Sequence, residues 1–496
     1  MKQDTDRSSD KHWFIYMIRT TDNLLYTGIT TDMARRWKQH SGAAGGARFF
    51  RGRKPAQLVY LEKGHNRSSA SRREAAIKKL RRSDKLSLLT SSDNHVHLML
   101  NLFPMDNCIQ PYDWGSKTAL NDLFAIANPD NQPQAEIWMG AHPAAASKIL
   151  LQNGEFKSLD AFIKESPEAI LGDITAKQFA GKLPYLFKVL SAAVPLSIQV
   201  HPNKQQAEAG YEKENQAGLA ANAYNRNYRD DNHKPELIYA LTPFRAMCGF
   251  RRLENIVELF SFIKDPLVST LLNTLSHRGL QGFWQQLLEL EQTPLNKLID
   301  QMLAVAEQSD DPAIAEVKRL NRFYPGDAGV FSPMILNVIN MKPGQAMYLD
   351  AGTPHAYLDG TGLEIMANSD NVLHGGLTSK YVDTQELLST INFTVRDVSE
   401  FMVSPDIKET VQCYPIPVPD FAFSIIPVEN HVSVMASGSV EILFCIEGSV
   451  KVILHNNEQL SLKPGTSCLV TAIENSIQFK GRGRIARATV NTISKF

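Results

Sequence analysis

The sequence predicts a mainly β protein: two related β-barrels, an α-helical insertion interrupting the first, and a small basic α+β module ahead of both. Three observations carry this expectation. Strand-type patterns fill residues 107 to about 250 and return from Ser332 onward, with helical periodicity between them. The turn Met341-Lys-Pro-Gly344 is echoed by Leu462-Lys-Pro-Gly465, each set between apolar strands. Charge divides sharply: residues 1–92 hold 20 Lys/Arg against 8 Asp/Glu, so the chain's zero net charge conceals +12 followed by −12.

A chain of 496 residues exceeds one ordinary domain, and 43% hydrophobic with 21% charged residues is a soluble globular composition. No run approaches the roughly 20 apolar residues that span a bilayer. The polar N-terminus lacks the apolar core of a secretory signal. A cytoplasmic location with no membrane partner is therefore expected. Cys108, Cys248, Cys413, Cys445 and Cys468 are scattered without a CxxC pair, which argues against a disulfide framework and a thiolate metal site.

In chain order, residues 14–18 and 24–28 flank Asp22-Asn23 and read as a hairpin. Asp32 can cap a helix carrying Arg35, Arg36, Trp37 and His40. A glycine-rich basic loop leads to a strand at Leu58–Leu61, and Ser68, Ser69 and Ser71 can cap a helix containing Glu74, Ile77 and Leu80. The module spans 1–90, with a linker at 91–106, where Met99 or Met105 would each make a natural start for a separate protein. The first barrel is assigned to 107–251 and 326–398, and the insertion to 252–325. In the insertion, Ile256, Leu259, Phe260 and Ile263 keep helical spacing. Leu295, Leu298, Ile299 and Met302 repeat it after Thr293-Pro294. The second barrel takes 399–496, with strand alternation around Val440–Leu454 and a turn at Asn456-Asn457. Eleven residues past Gly344 stands His355, whereas eleven past Gly465 stands Ser476. Only the first barrel is expected to hold a metal.

Residues 197–202 (SIQVHP) are the most informative segment. In a strand, Gln199 and His201 share one face while Ile198 and Val200 take the other. Glu236 follows His201 by 35 residues, and His355 follows Glu236 by 119. Two imidazoles, a carboxylate and a neutral oxygen suit zinc with a position left open. Taken singly, each histidine is an ordinary polar residue, and separations this long need a fold to unite them.

From about Asn107 the chain closely resembles type I mannose-6-phosphate isomerases, of the cupin family. The matching segments are Tyr112–Ser116, Ala135–His142, Leu183–Leu190, LSIQVHPNK, HKPEL, TPHAYL and Asn368–Val372. The resemblance implies two cupin barrels, one zinc ion on Gln199, His201, Glu236 and His355, and active-site roles for Ser197, Lys234, Glu364, Asp370 and Lys380. It implies mannose 6-phosphate and fructose 6-phosphate as substrates. The reaction moves a proton between C1 and C2, for which Glu364 and Lys234 are candidates, and Lys380 is a candidate cation for the phosphate. One position departs: His374 stands where the family usually has arginine, and a titratable imidazole is shorter than a permanently charged bidentate guanidinium. If His374 serves the phosphate, activity should improve as it protonates. Arg245 is weighed as a compensating cation against plain surface charge.

Residues 13–82 resemble the GIY-YIG nuclease domain: Phe14-Ile15-Tyr16 and Tyr26-Thr27-Gly28 stand for its two triplets, and Arg36 and His40 lie 8 and 12 residues past Gly28. The resemblance implies a nuclease-like site at Tyr16, Tyr26, Arg36, His40 and Glu74. It also implies Mg²⁺ or Mn²⁺ at Glu74 and DNA or RNA as partner. No downstream asparagine partner is evident. The alternative reading is a sugar- or metal-binding cupin without turnover, joined to a nucleic-acid-binding adaptor.

Overall fold

The computed structural model describes residues 12–42, 45–89, 91, 93–96, 101–151, 153–473 and 475–491; the candidate start at Met99 lies outside them. The chain forms two compact units, Met1–Phe103 with Leu150–Lys157, and Pro104–Ile149 with Ser158–Phe496. Among the described residues no helix is long and apolar enough to cross a membrane.

The first unit is built on an antiparallel sheet of Trp13–Thr20, Leu25–Thr30 and Pro55–His65, with Trp13–Thr20 in the middle. Strand alternation sorts its two faces. Ile15 and Met17 pack with Tyr60 and with Ala70 and Ile77 of the helix Arg67–Lys79. Tyr16 and Ile18 pack with Met33, Phe50 and Leu61 on the opposite face. Asp32 caps the helix Met33–His40 by accepting from the Arg35 N–H. The second helix is capped by Asn66 rather than by serines: its amide oxygen accepts from Ser69 N–H, and the Ser69 hydroxyl accepts from Asn66 N–H. The expected linker is folded over residues 93–96. Asn94 accepts from Leu61 N–H at 3.1 Å and donates to the Val59 and Leu89 carbonyls, and Val96 is buried. A downstream asparagine therefore exists, but its amide braces backbone.

The larger unit places Cys108–Gln110, Glu136–Gly140, Tyr185–Ala192, His355–Ala367, Glu236–Ala240 and Ala346–Leu349 side by side in one antiparallel sheet. Glu136–Gly140, Tyr185–Ala192 and Glu236–Ala240 are buried along their whole length, so each reads as an apolar run broken by single charges. The register sets Glu364 opposite Lys188, and Gln199 opposite both His355 and His374. Four helices, Leu253–Ser261, Pro266–Leu288, Gln292–Ala306 and Pro312–Phe323, lie between the strands Phe244–Phe250 and Leu336–Met341. The spaced apolar residues of the first and third helices are buried in one cluster that also takes in Ile198 and Val200. Ile263 lies beyond its helix but is buried there too. The ligand-bearing segment is thus anchored from behind by helical apolar side chains.

Helices also occur within the stretch expected to be β-rich, notably Ala119–Phe124 and Lys204–Gln216. The latter (KQQAEAGYEKENQ) is polar nearly all round and shows no apolar period. Its signal is the capping box of Asn203 and Gln206. A further sheet is dominated by Ala422–Met435, Glu441–Ile453 and Ser476–Thr489. The alternation expected around Val440–Leu454 holds only from Val450, because Ile442–Ile446 are buried on both faces. The echoed glycines both take left-handed turns, with φ of 91° at Gly344 and 79° at Gly465.

Candidate functional site

Among the described residues, one group of side chains could hold a metal: His201, Glu236 and His355, all buried, with ligand atoms within 4.8 Å of one another. Hydrogen bonds fix both imidazoles. His201 Nδ1–H donates to the Asn371 carbonyl at 2.7 Å, and His355 Nδ1–H donates to the Thr353 carbonyl at 2.9 Å. A carbonyl only accepts, so in each neutral ring Nε2 is a bare lone pair. Those lone pairs face the two oxygens of Glu236, at 3.3 Å from His201 and 3.4 Å from His355. His201 Nε2 is buried there without a hydrogen-bond partner. Burial, then Lys234, pushes the His201 pKa down to about 4, so the ring is neutral at pH 7. Burial alone would raise Glu236, but Lys234, 3.0 Å from its Oε1, holds its carboxyl well below the usual carboxylate range. Lone pairs converging in this way suit a cation, and this N/O donor set fits zinc.

A cavity of about 650 Å³ opens beside this cluster, and Gln199 lines it. Lys234 is not in its wall; its Nζ lies 3.0 Å from Glu236 Oε1. Glu364 is likewise set back, 3.2 Å from Lys188 Nζ, and burial raises its pKa against the pull of Lys188. The residues that do reach the wall here are Lys188 and Glu136, 3.4 Å apart. Trp138 Nε1–H donates to the other Glu136 oxygen at 2.7 Å, and Lys188 Nζ sits 5.2 Å from the Trp138 ring centroid. The neighbouring carboxylates, working against desolvation, raise the pKa of Lys188 and keep it an ammonium. Sequence reasoning assigned no role to either residue. The available signal was a lone lysine in the apolar strand Tyr185–Ala192.

Asp370, Lys380 and His374 also line the cavity. Asp370 faces buried His142 at 3.3 Å; although burial opposes it, that contact lowers the carboxyl's pKa. Ser197 Oγ lies 3.1 Å from His374 Nδ1. Burial, then Lys380, His201 and Arg229, pushes the His374 pKa down to about 3. That direction works against a protonated imidazole here, the form that the expected gain in mild acid needs. Arg245 is no substitute, being spent on Glu316 and Asp359 at 2.8 Å each. Asn371, fully buried, was not singled out from sequence. Its side-chain oxygen accepts from Arg229 and Asp230 N–H, while its carbonyl holds His201.

In the first unit, Ala47 N–H donates to His40 Nδ1, leaving Nε2–H to donate to the Tyr16 hydroxyl at 2.8 Å. Arg36 Nε donates to the same oxygen at 3.1 Å. Burial raises the Tyr16 pKa despite Arg36, so the phenol is neutral; burial, then Arg36, lowers His40 to about 4. Tyr26 packs on His40 with ring centroids 5.2 Å apart. Gly28, paired with Tyr16 across the hairpin, makes room for the phenol: a Cβ there would lie 2.5 Å from its oxygen. Glu74 is not joined to this cluster by any hydrogen bond described. It sits on the helix that packs the opposite sheet face, with Lys78 Nζ 2.7 Å from its carboxylate.

Family comparisons accord with this geometry. The phosphomannose isomerase type I catalytic domain matches residues 102–253, the mannose-6-phosphate isomerase cupin domain 410–490, and the GIY-YIG catalytic domain 12–87. The mannose-6-phosphate isomerase of Escherichia coli K12 is 43% identical over 383 residues, 77% of this chain and 97% of that protein. The human mannose-6-phosphate isomerase is 36% identical over 70% of this chain and 88% of its own length. Among solved structures, a mutant phosphomannose isomerase from Salmonella typhimurium is similar with a TM-score of 0.76 and 42% identity, over 79% of this chain and all of that one. A zinc-bound mannose 6-phosphate isomerase is similar with a TM-score of 0.75 over the same shares. Fold and site thus define a mostly sheet, cupin-containing protein with a buried His–Glu–His cluster at a polar cavity. The chain belongs to the type I mannose-6-phosphate isomerase family and carries a GIY-YIG domain ahead of that region.

Proposed function

We propose that the larger unit interconverts mannose 6-phosphate and fructose 6-phosphate at the cavity beside His201, Glu236 and His355. The observation that carries this is the pair of bare imidazole lone pairs aimed at the Glu236 oxygens. Gln199 completes the proposed ligand set. A zinc ion held there supplies Lewis acidity for a carbonyl or enediol oxygen. Of the two cavity-lining carboxylates described, Asp370 and Glu136, the former is kept a weak base by His142. Glu136 is therefore the proposed acceptor of the carbon-bound proton, with Lys188 as the fixed cation beside the oxygens. Glu364, expected to share proton transfer, acts by holding Lys188 in place, and Lys234 by holding Glu236 ionised. Ser197 and His374 form one neutral polar edge of the cavity, and Lys380 a charged one.

The two large sheets of this unit are read as two cupin barrels, 107–251 with 326–398 and 399–496, with the helical segment 252–325 inserted in the first. The first unit is read as a nucleic-acid-binding GIY-YIG module whose hydrolytic cluster is Tyr16, Tyr26, Arg36 and His40, with Glu74, on the helix over the opposite sheet face, as the proposed holder of Mg²⁺ or Mn²⁺. The deciding experiment couples fructose 6-phosphate formation to a reporter reaction and measures bound zinc by elemental analysis. His201→Ala is expected to abolish both readouts. Full zinc occupancy in that variant would exclude the assigned ligand set, and absent turnover in zinc-loaded wild type would favour a binding protein.

A further inference from the structure

Arg229 and Lys380 stand apart from the other cations of the site. Lys188 is held between Glu136 and Glu364, Lys234 lies on Glu236, and Arg245 lies on Glu316 and Asp359. Arg226 is buried against Glu214 and donates to Leu219 and Tyr228 carbonyls. Arg229 and Lys380 both line the cavity, yet among the described residues neither has a carboxylate within ion-pair distance. Burial, then Arg229 and Lys234, lowers the pKa of Lys380. Asp370 of the same cavity feels Arg229's charge but lies against His142, in ion-pair contact with neither cation, so the two like charges favour an added anion.

The loop that presents Arg229 is tightly built. Glu214, in the helix Lys204–Gln216, accepts from the N–H groups of Asn227 and Tyr228 at 3.0 and 2.8 Å. The Tyr228 ring fills the space above Gly210, where any Cβ would collide with it, and the Tyr228 hydroxyl donates to Glu386 at 2.7 Å. Arg229 N–H donates to Asn371 Oδ1 at 2.7 Å. The backbone of Arg229 is thereby fixed while its guanidinium has no described side-chain partner. Nearby, position 374 supplies an imidazole rather than a guanidinium, and its Nδ1 lies 3.1 Å from Ser197 Oγ.

We propose that Arg229 is the specificity-determining residue for the substrate's phosphate, providing from this loop the guanidinium that His374 does not, with Lys380 as second cation. The proposal rests on the isomerase reading. A planar guanidinium can hold two phosphate oxygens in parallel, which a lone ammonium cannot. Because the loop's bonds to Arg229 run through its backbone, the side chain can be replaced without releasing the loop.

The test compares zinc-loaded wild type, Arg229→Ala and Arg229→Lys in two measurements. One is calorimetric binding of inorganic phosphate; the other is kcat/KM for mannose 6-phosphate and for unphosphorylated mannose. Arg229→Ala should weaken phosphate binding and lower kcat/KM for mannose 6-phosphate by about ten- to a hundredfold, chiefly through KM. Any turnover of mannose should be unchanged, and Arg229→Lys should recover part of the loss. Phosphate binding unaltered by Arg229→Ala would overturn the proposal, as would an equal loss on both sugars. Failure of the isomerase reading is distinct: wild type would then turn over neither sugar, while calorimetry would still report whether Arg229 binds phosphate.

Discussion

At the scale of single residues, the metal cluster was legible because its donors are chemically conspicuous. Gln199 and His201 stand two apart among apolar neighbours, but only Gln199–Val200 forms strand, and it was the family resemblance that joined them to Glu236 and His355. Lys188, Glu136, Arg229 and Asn371 were not legible, because their roles come from what surrounds them. Lys188 matters as a buried ammonium between two carboxylates, and neither partner adjoins it in sequence. If Glu136 accepts the carbon-bound proton, Glu136→Gln should lower kcat by about 10²–10⁴-fold. It should also abolish exchange of the substrate's C2 hydrogen with deuterated solvent, followed by NMR, while zinc content stays at the wild-type level. Retained exchange would move the role to another group.

At the scale of elements, periodicity served the helices between Phe250 and Leu336 well and the buried strands poorly. Helix faces half in water keep an apolar stripe, whereas strands covered on both sides lose the alternation that marks them. The strand Glu441–Ile453 shows the difference along its own length: both faces are covered at Ile442–Ile446, and alternation begins only at Val450. Its first residue is a fully buried carboxylate, held by two parallel bonds of 2.7 Å from Arg487 and by Ser437 N–H. Arg487→Met leaves that charge uncompensated and should destabilise the larger unit by about 3–5 kcal/mol, read from denaturant unfolding. Adding Glu441→Leu should recover most of the loss. A single replacement with no effect would mean Glu441 is neutralised another way.

At the scale of the whole molecule, the division of charge coincides with a division of folds. The excess of positive charge in residues 1–92 falls in the first compact unit, and the acidic balance in the chain that follows. Binding of a DNA or RNA duplex by the full chain should therefore weaken steeply with salt, with a log–log slope reflecting several released counterions. Cleavage, where a divalent ion supports it, should vanish in Glu74→Ala. An affinity flat between low and high salt, measured by fluorescence anisotropy, would rule out the electrostatic mode. The larger unit holds a different kind of connection, in Asn371. Its carbonyl sets the lone pair that His201 offers to a metal, and its amide oxygen tethers the backbone of Arg229. One buried residue, through its backbone carbonyl on one side and its side-chain amide on the other, thus touches both proposed binding sites. Equilibrium linkage is reciprocal, so whatever factor zinc adds to phosphate affinity, phosphate must add to zinc affinity. A zinc competition titration with and without phosphate should reveal that cooperativity, and Asn371→Ala should reduce it: a sugar phosphate would then help the protein keep its own metal.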